Sequence, residues 1–290
     1  MVSSIEVPIS VLIPTKDEER NIAECLESVS WAGEVFAYDS MSSDRTVEIA
    51  ESLGAKVKQR SFDNFADHKN WALDNLPFKF DWILILDADE RITPELREEI
   101  TDAIKNDNIV GYYIPRKNLF MRKWIRHGGW FPDYQLRLFK RGKARYEKRI
   151  VHEHMVIDGQ SGYLHQPLIH HDFKGLERYF DRHNSYSSME AVEAFKVLNG
   201  TKGSGQIDKG LKKAGPERRR ILKEFGYRFV PCRSLVKFLW MYIIKCGFLD
   251  GRMGFRYCLL HTLYEYQVSL KLEELKDPNS PMRQKYKHYL

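Results

Sequence analysis

Residues 81–91, DWILILDADER, run from a mostly apolar pentapeptide into two carboxylates, Asp87 and Asp89, with only Ala88 between them. A short apolar run that ends in charge fits a strand buried on both faces. In an extended segment, residues i and i+2 face one side, so both acids would meet at one spot where the strand ends. Their mutual repulsion then calls for an outside cation or a hydrogen-bonding partner. A strand-end turn with solvated acids satisfies the same letters, and the flanking sequence has to decide.

Working back from Trp82, the chain alternates in period. ISVLI (9–13) is a short apolar run that stops at Pro14. EERNIAECLESV (18–29) places Ile22, Cys25, Leu26 and Val29 at helical spacing. EVFAY (34–38) and AKVKQ (55–59) read as strands around the helix DRTVEIAESLG (44–54), which Gly54 stops. FADHKNWALDNL (65–76) is a third helix, and WILIL (82–86) a fourth strand. Strands and helices alternating at this spacing predict an α/β fold, a mostly parallel sheet flanked by helices. Ligands of such sheets bind beyond the carboxyl ends of the strands, where Pro14–Glu18, Asp39 and the Asp87/Asp89 pair all fall.

Past residue 110 the pattern becomes strand-rich: VGYYIPRKNLF and YQLRLFKRG flank the aromatic, Gly-rich WIRHGGWFPD, and YEKRIVHEHMVIDG and YLHQPLIHHDF follow. The expected organisation is a catalytic domain over 1–175, a helix and Gly/Lys-rich linker over 176–216, and a basic helical region over 217–290. A hydrophobic share of 43% and an aromatic share of 13% are ample for a packed core and exclude a disordered chain. The four cysteines show no CxxC pairing and read as free thiols in a reducing cytosol. No signal-peptide pattern opens the sequence, and no run of 18 apolar residues occurs. The net charge of +6 is uneven: residues 200–290 hold 19 Lys and Arg against 8 Asp and Glu, whereas the rest holds 27 against 32. A basic tail fits an anionic partner, either nucleic acid or a membrane surface.

The phosphate-binding glycine motifs GxGxxG and GxxxxGK[ST] are absent, which argues against a dinucleotide site or a P-loop. A diphosphate can instead be held through Mg²⁺ or Mn²⁺ bridged to Asp89, since these ions prefer carboxylate and phosphate oxygens. The combination VLIPTKDEERNI, YDSMSSDRT and LILDADE, in this order and spacing, resembles family 2 glycosyltransferases of the GT-A fold over about residues 8–175. Lys16-Asp17 stands where that family often has Tyr-Asn, and Ser40 where it has a second Asp. GGWFPDYQLRLFKRG, VHEH and GFLDGRMGF further resemble the bacterial subgroup that adds glucose to the inner core of lipopolysaccharide.

The resemblance implies roles residue by residue. Pro14, Thr15 and Asp17 lie against the nucleoside, and Asp39 hydrogen-bonds uracil. Asp87 and Ala88 sit near the ribose, Asp89 ligates a divalent metal, and Lys69 approaches the diphosphate. A histidine after the sheet completes the metal's coordination, a position that LIHHDF fits, with His171 preferred to His170. An inverting transfer also needs a base to take the acceptor hydroxyl's proton. Glu153, in RIVHEHM, matches the family's position for that base, and Asp133, in WFPDYQ, is its rival. The crowding of His152, His154, His165, His170 and His171 leaves a zinc site open as well. The implied partners are a UDP-sugar donor and a lipid-linked oligosaccharide acceptor, met from the cytoplasmic side by an enzyme peripheral to the inner membrane face.

In the tail, Arg233, Lys237 and Lys245 recur near one helical stripe, with Leu235, Phe238, Leu239, Tyr242, Ile243 and Leu249 on the other side. That pattern fits a helix lying on an anionic membrane surface or one packed on the main domain. KKAGPERRR could contact nucleic-acid phosphates, but no recognition motif accompanies it, so no nucleic-acid partner is expected. A nucleotidyltransferase also uses a parallel sheet with acids, but PTKDEER lacks the glycines of its first loop.

Overall fold

A computed structural model describes residues 6–147, 155–171, 175–199 and 233–290. The chain divides into two compact units. The first holds the described residues up to 171 except 127–129; the second holds 127–129 and the described residues from 175 onward.

The first unit is built on one mixed sheet. Strands β1 (Val7–Thr15), β2 (Ala32–Asp39), β3 (Lys56–Gln59) and β4 (Trp82–Ile85) form its parallel half in the order β3-β2-β1-β4. The order continues through β8 (Asp133–Lys140), β6 (Gly111–Phe120), β12 (Leu168–His171) and β5 (Glu90–Arg91). Strand β8 is antiparallel to both β4 and β6, while β12 runs parallel to β6. Short strands β7 (Lys123–Trp124) and β11 (Ser161–Tyr163) also pair with β6, and β9 (Ala144–Tyr146) pairs with β10 (Met155–Ile157). The expected α/β architecture, a largely parallel sheet flanked by helices and followed by C-terminal helices, is what the chain adopts.

The apolar strands are two-faced because both faces are covered. Ile9, Val11 and Ile13 pack with Ile22, Cys25 and Leu26 of α1 (Ile22–Ser28) and with Leu96 and Ile100 of α4 (Pro94–Ala103). Leu12, Phe36, Tyr38, Ile83 and Ile85 face the other way, onto Ala66 and Ala72 of α3 (Phe65–Asn75). Helix α2 (Thr46–Ser52) adds Ala50 to the first layer. Asn64 caps α3 by accepting the Asp67 N–H, as Thr93 caps α4 by accepting that of Leu96.

The second unit is helical. Helix α5 (Gly175–Leu198) packs on α7 (Gly251–Lys276) through Ala191, Val192, Val268, Leu272 and Leu275, closed by Met282 of α8 (Pro281–Lys285). Helix α6 (Arg233–Leu239) runs into a π-helical turn, Trp240–Ile244, and then a 3₁₀ turn, Gly247–Asp250. A Cβ on Gly254 would collide with the carbonyl oxygen of Gly247, so only glycine lets that turn lie so close to α7. Among the described residues, no helix is long and apolar enough to cross a membrane.

Candidate active site

Thr15, Asp39 and Gln59 end three adjacent parallel strands in register, so their side chains share one rim. Asp39 is buried, and its carboxylate accepts from Thr15 Oγ1 (3.0 Å), Ser42 N–H (2.8 Å), Ser42 Oγ (2.5 Å) and Gln59 Nε2 (3.0 Å). A carboxylate offers roughly four lone-pair sites, so these donors saturate it. A nucleobase that bonds Asp39 must first displace one of them. Asp39 therefore locks the loop after β2 onto the ends of β1 and β3.

The loops after β1 and β2 are laced together. Ser43 donates to Asp17 Oδ1 through its N–H (2.8 Å) and its hydroxyl (3.1 Å). The Ser43 N–H bond is the main reason the Asp17 carboxyl is held below its usual range. In return, Asp17 N–H donates to Ser42 Oγ (2.8 Å), Glu18 N–H to Thr46 Oγ1 (2.7 Å) and Glu19 N–H to Asp44 Oδ2 (3.1 Å). These bonds occupy the residues expected to start the first helix, so α1 begins at Ile22 rather than Glu18, and Asp17 adopts a left-handed φ of 52°. Pro14 stands opposite Tyr38 just inside this rim.

Strand β4 stops at Ile85, although Leu86 N–H still donates to the Leu12 carbonyl (3.0 Å). The chain then turns, with Glu90 N–H donating to the Asp87 carbonyl (2.8 Å). Asp87 and Asp89 are thus not alternate residues of an extended strand, which corrects the geometry expected of them, and each has its own partner. Asp87 Oδ2 receives Arg137 of β8 at 2.5 Å, and the same guanidinium reaches Glu90 Oε1 at 2.6 Å. Glu90 Oε2 accepts the Asp87 N–H at 3.0 Å, and Ala88 is buried between. Burial pushes the Asp87 carboxyl up, but Arg137 and then Lys69 outweigh it and hold it well below the usual carboxylate range. Glu90 is fully enclosed, and there burial wins and raises its pKa despite Arg137. Lys69, on α3, sits 5.0 Å from the centre of the Tyr146 ring.

A second set of groups completes the network. Arg116 of β6 donates to Asp133 Oδ2 through Nε (3.0 Å) and Nη2 (2.6 Å), and its Nη1 lies 3.8 Å from Glu90 Oε1. Gln135 and Asn118 donate to Asp133 as well, at 2.9 and 3.4 Å. Burial raises the Asp133 pKa, but Arg116 and these donors leave it below normal, so it is a poor proton acceptor. Asn118 Oδ1 meets His170 Nδ1 at 2.9 Å, and His170 Nε2 lies 3.4 Å from Asp89 Oδ2. The ring that reaches Asp89 is therefore that of His170, not the expected His171. The His171 backbone N–H donates to the Asp89 carbonyl (3.1 Å). Its ring is driven toward the neutral form by burial and Arg122. For His170, burial favours the neutral form, but the Asp89 carboxylate overcomes it and raises the pKa. Glu153, with His152 and His154, lies outside the described residues. The His165 N–H and ring lie on Glu99.

The sequence signal for the missed residues is alternation. Arg116 and Asn118 stand two apart on β6, and Asp133, Gln135 and Arg137 stand two apart on β8, with Arg116 and Asp133 in register. Among the described residues, no group of three or more His, Cys, Asp or Glu side chains is placed to hold a metal ion. Asp89 and His170 do fit two positions of a divalent ion whose other ligands are phosphate oxygens and water, the usual arrangement for Mg²⁺ beside a diphosphate. Asn118 fixes the tautomer and direction of the imidazole, as a supporting partner of a ligating histidine does.

Comparison with known proteins places the chain in a family. The model of the Glycosyl transferase family 2 matches residues 10–171, and the chain belongs to that family. An uncharacterized glycosyltransferase of Rickettsia bellii is 32% identical over 203 residues, 65% of this chain and 68% of that one. The lipopolysaccharide core biosynthesis glycosyltransferase LpsC of Rhizobium meliloti is 28% identical over 199 residues, 64% of this chain and 71% of that one. Among solved structures, TarS (1–349) of S. aureus is 13% identical with a TM-score of 0.45, covering 97% of this chain and 92% of that chain. The protein is a glycosyltransferase.

Proposed function

We propose that the protein transfers a hexose, glucose by preference, from a UDP-sugar to a lipid-linked saccharide such as the inner core of lipopolysaccharide, inverting the anomeric carbon. Family membership supports the reaction type, and the relative LpsC, named for lipopolysaccharide core biosynthesis, supports the acceptor class. The observation that carries the donor site is Asp89 against His170, beside an Asp87 whose charge Arg137 stabilises, where the strand β4 ends. In this reading Pro14, Thr15 and Asp17 border the nucleoside, with Asp39 fixing their loops, while Asp87 and Ala88 face the ribose and Lys69 the diphosphate. Asp89 and His170 would hold a divalent cation, Mg²⁺ or Mn²⁺, which would supply charge neutralisation for a departing UDP. Glu153 takes the proton of the acceptor hydroxyl as that oxygen attacks the anomeric carbon, and a single displacement of this kind inverts the centre. The reaction belongs on the cytoplasmic side of the membrane, where a reducing milieu suits the unpaired Cys25, Cys246 and Cys258.

The test is thermal stabilisation by a panel of nucleotide sugars with and without Mn²⁺, followed by transfer assays. Binding to the native state alone stabilises it by mass action. UDP-glucose with Mn²⁺ should raise the melting temperature of the wild type and leave Asp89→Ala unmoved, although that variant folds normally. Near-normal turnover by Asp89→Ala in Mn²⁺ would sink the assignment.

A further inference from the structure

Among the described residues, the helical unit exposes a large apolar surface. Trp240, Ile243 and Ile244 of the π-helical turn are 47%, 53% and 69% exposed, and Phe248, Leu249 and Phe255 are 47%, 59% and 43% exposed. Ring contacts make this one surface rather than scattered residues. Phe255 meets Phe238 at 5.8 Å and Tyr242 at 5.7 Å, and Tyr242 meets Phe248 at 6.2 Å. Along α7 the exposure continues through Leu259, Leu263, Tyr266 and Leu270, which with Phe255 recur every three or four residues on one helical face. Single exposed apolar residues are ordinary, but a connected set of this kind marks a surface that meets a partner.

The charges around it are of one sign. Between Arg233 and Tyr264 the sequence holds five cations and one acid, Asp250. That acid is engaged by His127, whose N–H and ring Nδ1 lie 2.7 and 2.9 Å from its oxygens. Arg233 and Lys237, two members of the basic stripe read from the sequence, both turn to Glu265 of α7, Lys237 at 2.6 Å. They stabilise the fold and are not the surface charge. The cations beside the apolar turn are Lys245, Arg252 and Arg256, which form no ion pair among the described residues, and Lys245 lies 5.2 Å from the Trp240 ring.

We propose that the segment from Trp240 to Phe255 seats the protein on an anionic lipid surface, with Trp240, Ile243, Ile244, Phe248 and Leu249 entering the interface and Lys245, Arg252 and Arg256 meeting the headgroups. Its biological purpose rests on the lipid-linked acceptor proposed above; its existence rests on this geometry. An aromatic and branched apolar turn bordered by cations is the composition that lies in a bilayer interface, with long basic side chains reaching the headgroup level. A second copy of the chain is the competing occupant. Two-fold pairing through the same patch would bring together two surfaces that carry the same cations, Lys245, Arg252 and Arg256, a repulsion that an anionic surface turns to attraction.

The experiment is sedimentation of the full chain with phosphatidylcholine vesicles, with and without phosphatidylglycerol, alongside its oligomeric state by analytical ultracentrifugation. Wild type should pellet with the anionic vesicles, less so as salt is raised, and remain in solution with neutral ones. Each surface cation contributes about 1 kcal/mol near such a membrane, or about fivefold in partitioning, so Arg252→Glu/Arg256→Glu should lose at least ~25-fold. Ile243→Glu/Ile244→Glu should release the protein at low salt too, with unchanged circular dichroism. A monomer that ignores every vesicle overturns the proposal. So does a dimer without vesicle affinity that the isoleucine substitutions dissociate, and so do variants that bind as well as wild type. The assay uses no donor sugar, so loss of transfer to every acceptor faults the reaction and leaves this surface standing.

Discussion

Arg137 is the residue on which the acidic rim beyond β4 turns, and Arg137→Met is the substitution that measures it. Its side chain is 7% exposed and bridges Asp87, 35% exposed, to Glu90, which is fully enclosed. Methionine keeps the volume and removes the charge, so Glu90 must either hold an uncompensated charge or take up a proton. Breaking a buried pair in this way costs about 3–5 kcal/mol. The lower end applies here, because water screens Asp87 and Arg116 stands 3.8 Å from Glu90 as a partial substitute. A loss of about 3 kcal/mol lowers the melting temperature of a domain of this size by roughly 6–12 °C. Tryptophan fluorescence is the natural probe, since five of the six tryptophans lie in the sheet unit. The pH dependence has a definite sign. Asp87, with a depressed folded pKa, stabilises the wild type above its unfolded pKa, and that contribution fades as acid is added. Glu90, with a raised folded pKa, favours the folded state below its unfolded pKa and opposes it as pH rises through the folded one, more so without Arg137. Glu90 therefore narrows the gap between variant and wild type as pH falls from 7 toward its unfolded pKa, and Asp87 narrows it further only below its own unfolded pKa, as pH falls toward the depressed folded one. Adding Glu90→Gln to Arg137→Met should restore more than half of the loss at pH 7. If Arg137→Met melts within about 2 °C of wild type at neutral pH, the guanidinium is not the counter-ion it is argued to be.

Glu153→Gln keeps the side chain's shape but cannot accept a proton, so donor affinity should persist while kcat falls about 10²–10⁴-fold; Asp133→Asn should act on stability and acceptor KM, and a dead Asp133→Asn beside an active Glu153→Gln reverses the assignment. His261 is pushed down to about 3 by burial and by Lys237 and His183, so it favours the folded helical unit above the ordinary histidine range and that support is lost as pH drops toward 3. An NMR titration in which the His261 ring protonates near pH 6.5 contradicts this.

The sheet was legible because its signal is local. The short, mostly apolar runs ISVLI and EVFAY against the period of three to four in the segments between them need only adjacent letters, and β1, β2 and β4 form where those letters put them. The chemistry of the rim was legible only in part, because its bonds are not local. Arg137 and Asp87 stand 50 residues apart, and His170 and Asn118 stand 52 apart, so nothing within DADE announces that one acid faces a guanidinium and the other an imidazole. The turn itself follows from Glu90, whose carboxylate accepts the Asp87 N–H and draws the chain out of the extended form that the period-two reading assumed. The basic stripe of the tail differs for another reason. A stripe through Arg233, Lys237 and Lys245 presumes a constant 3.6 residues per turn. The π-helical turn at Trp240–Ile244 and the left-handed Cys246 shift the phase between the second and third members. Arg233 and Lys237, before the turn, pair with Glu265, whereas Lys245, after it, lies against the ring of Trp240 on the exposed apolar surface.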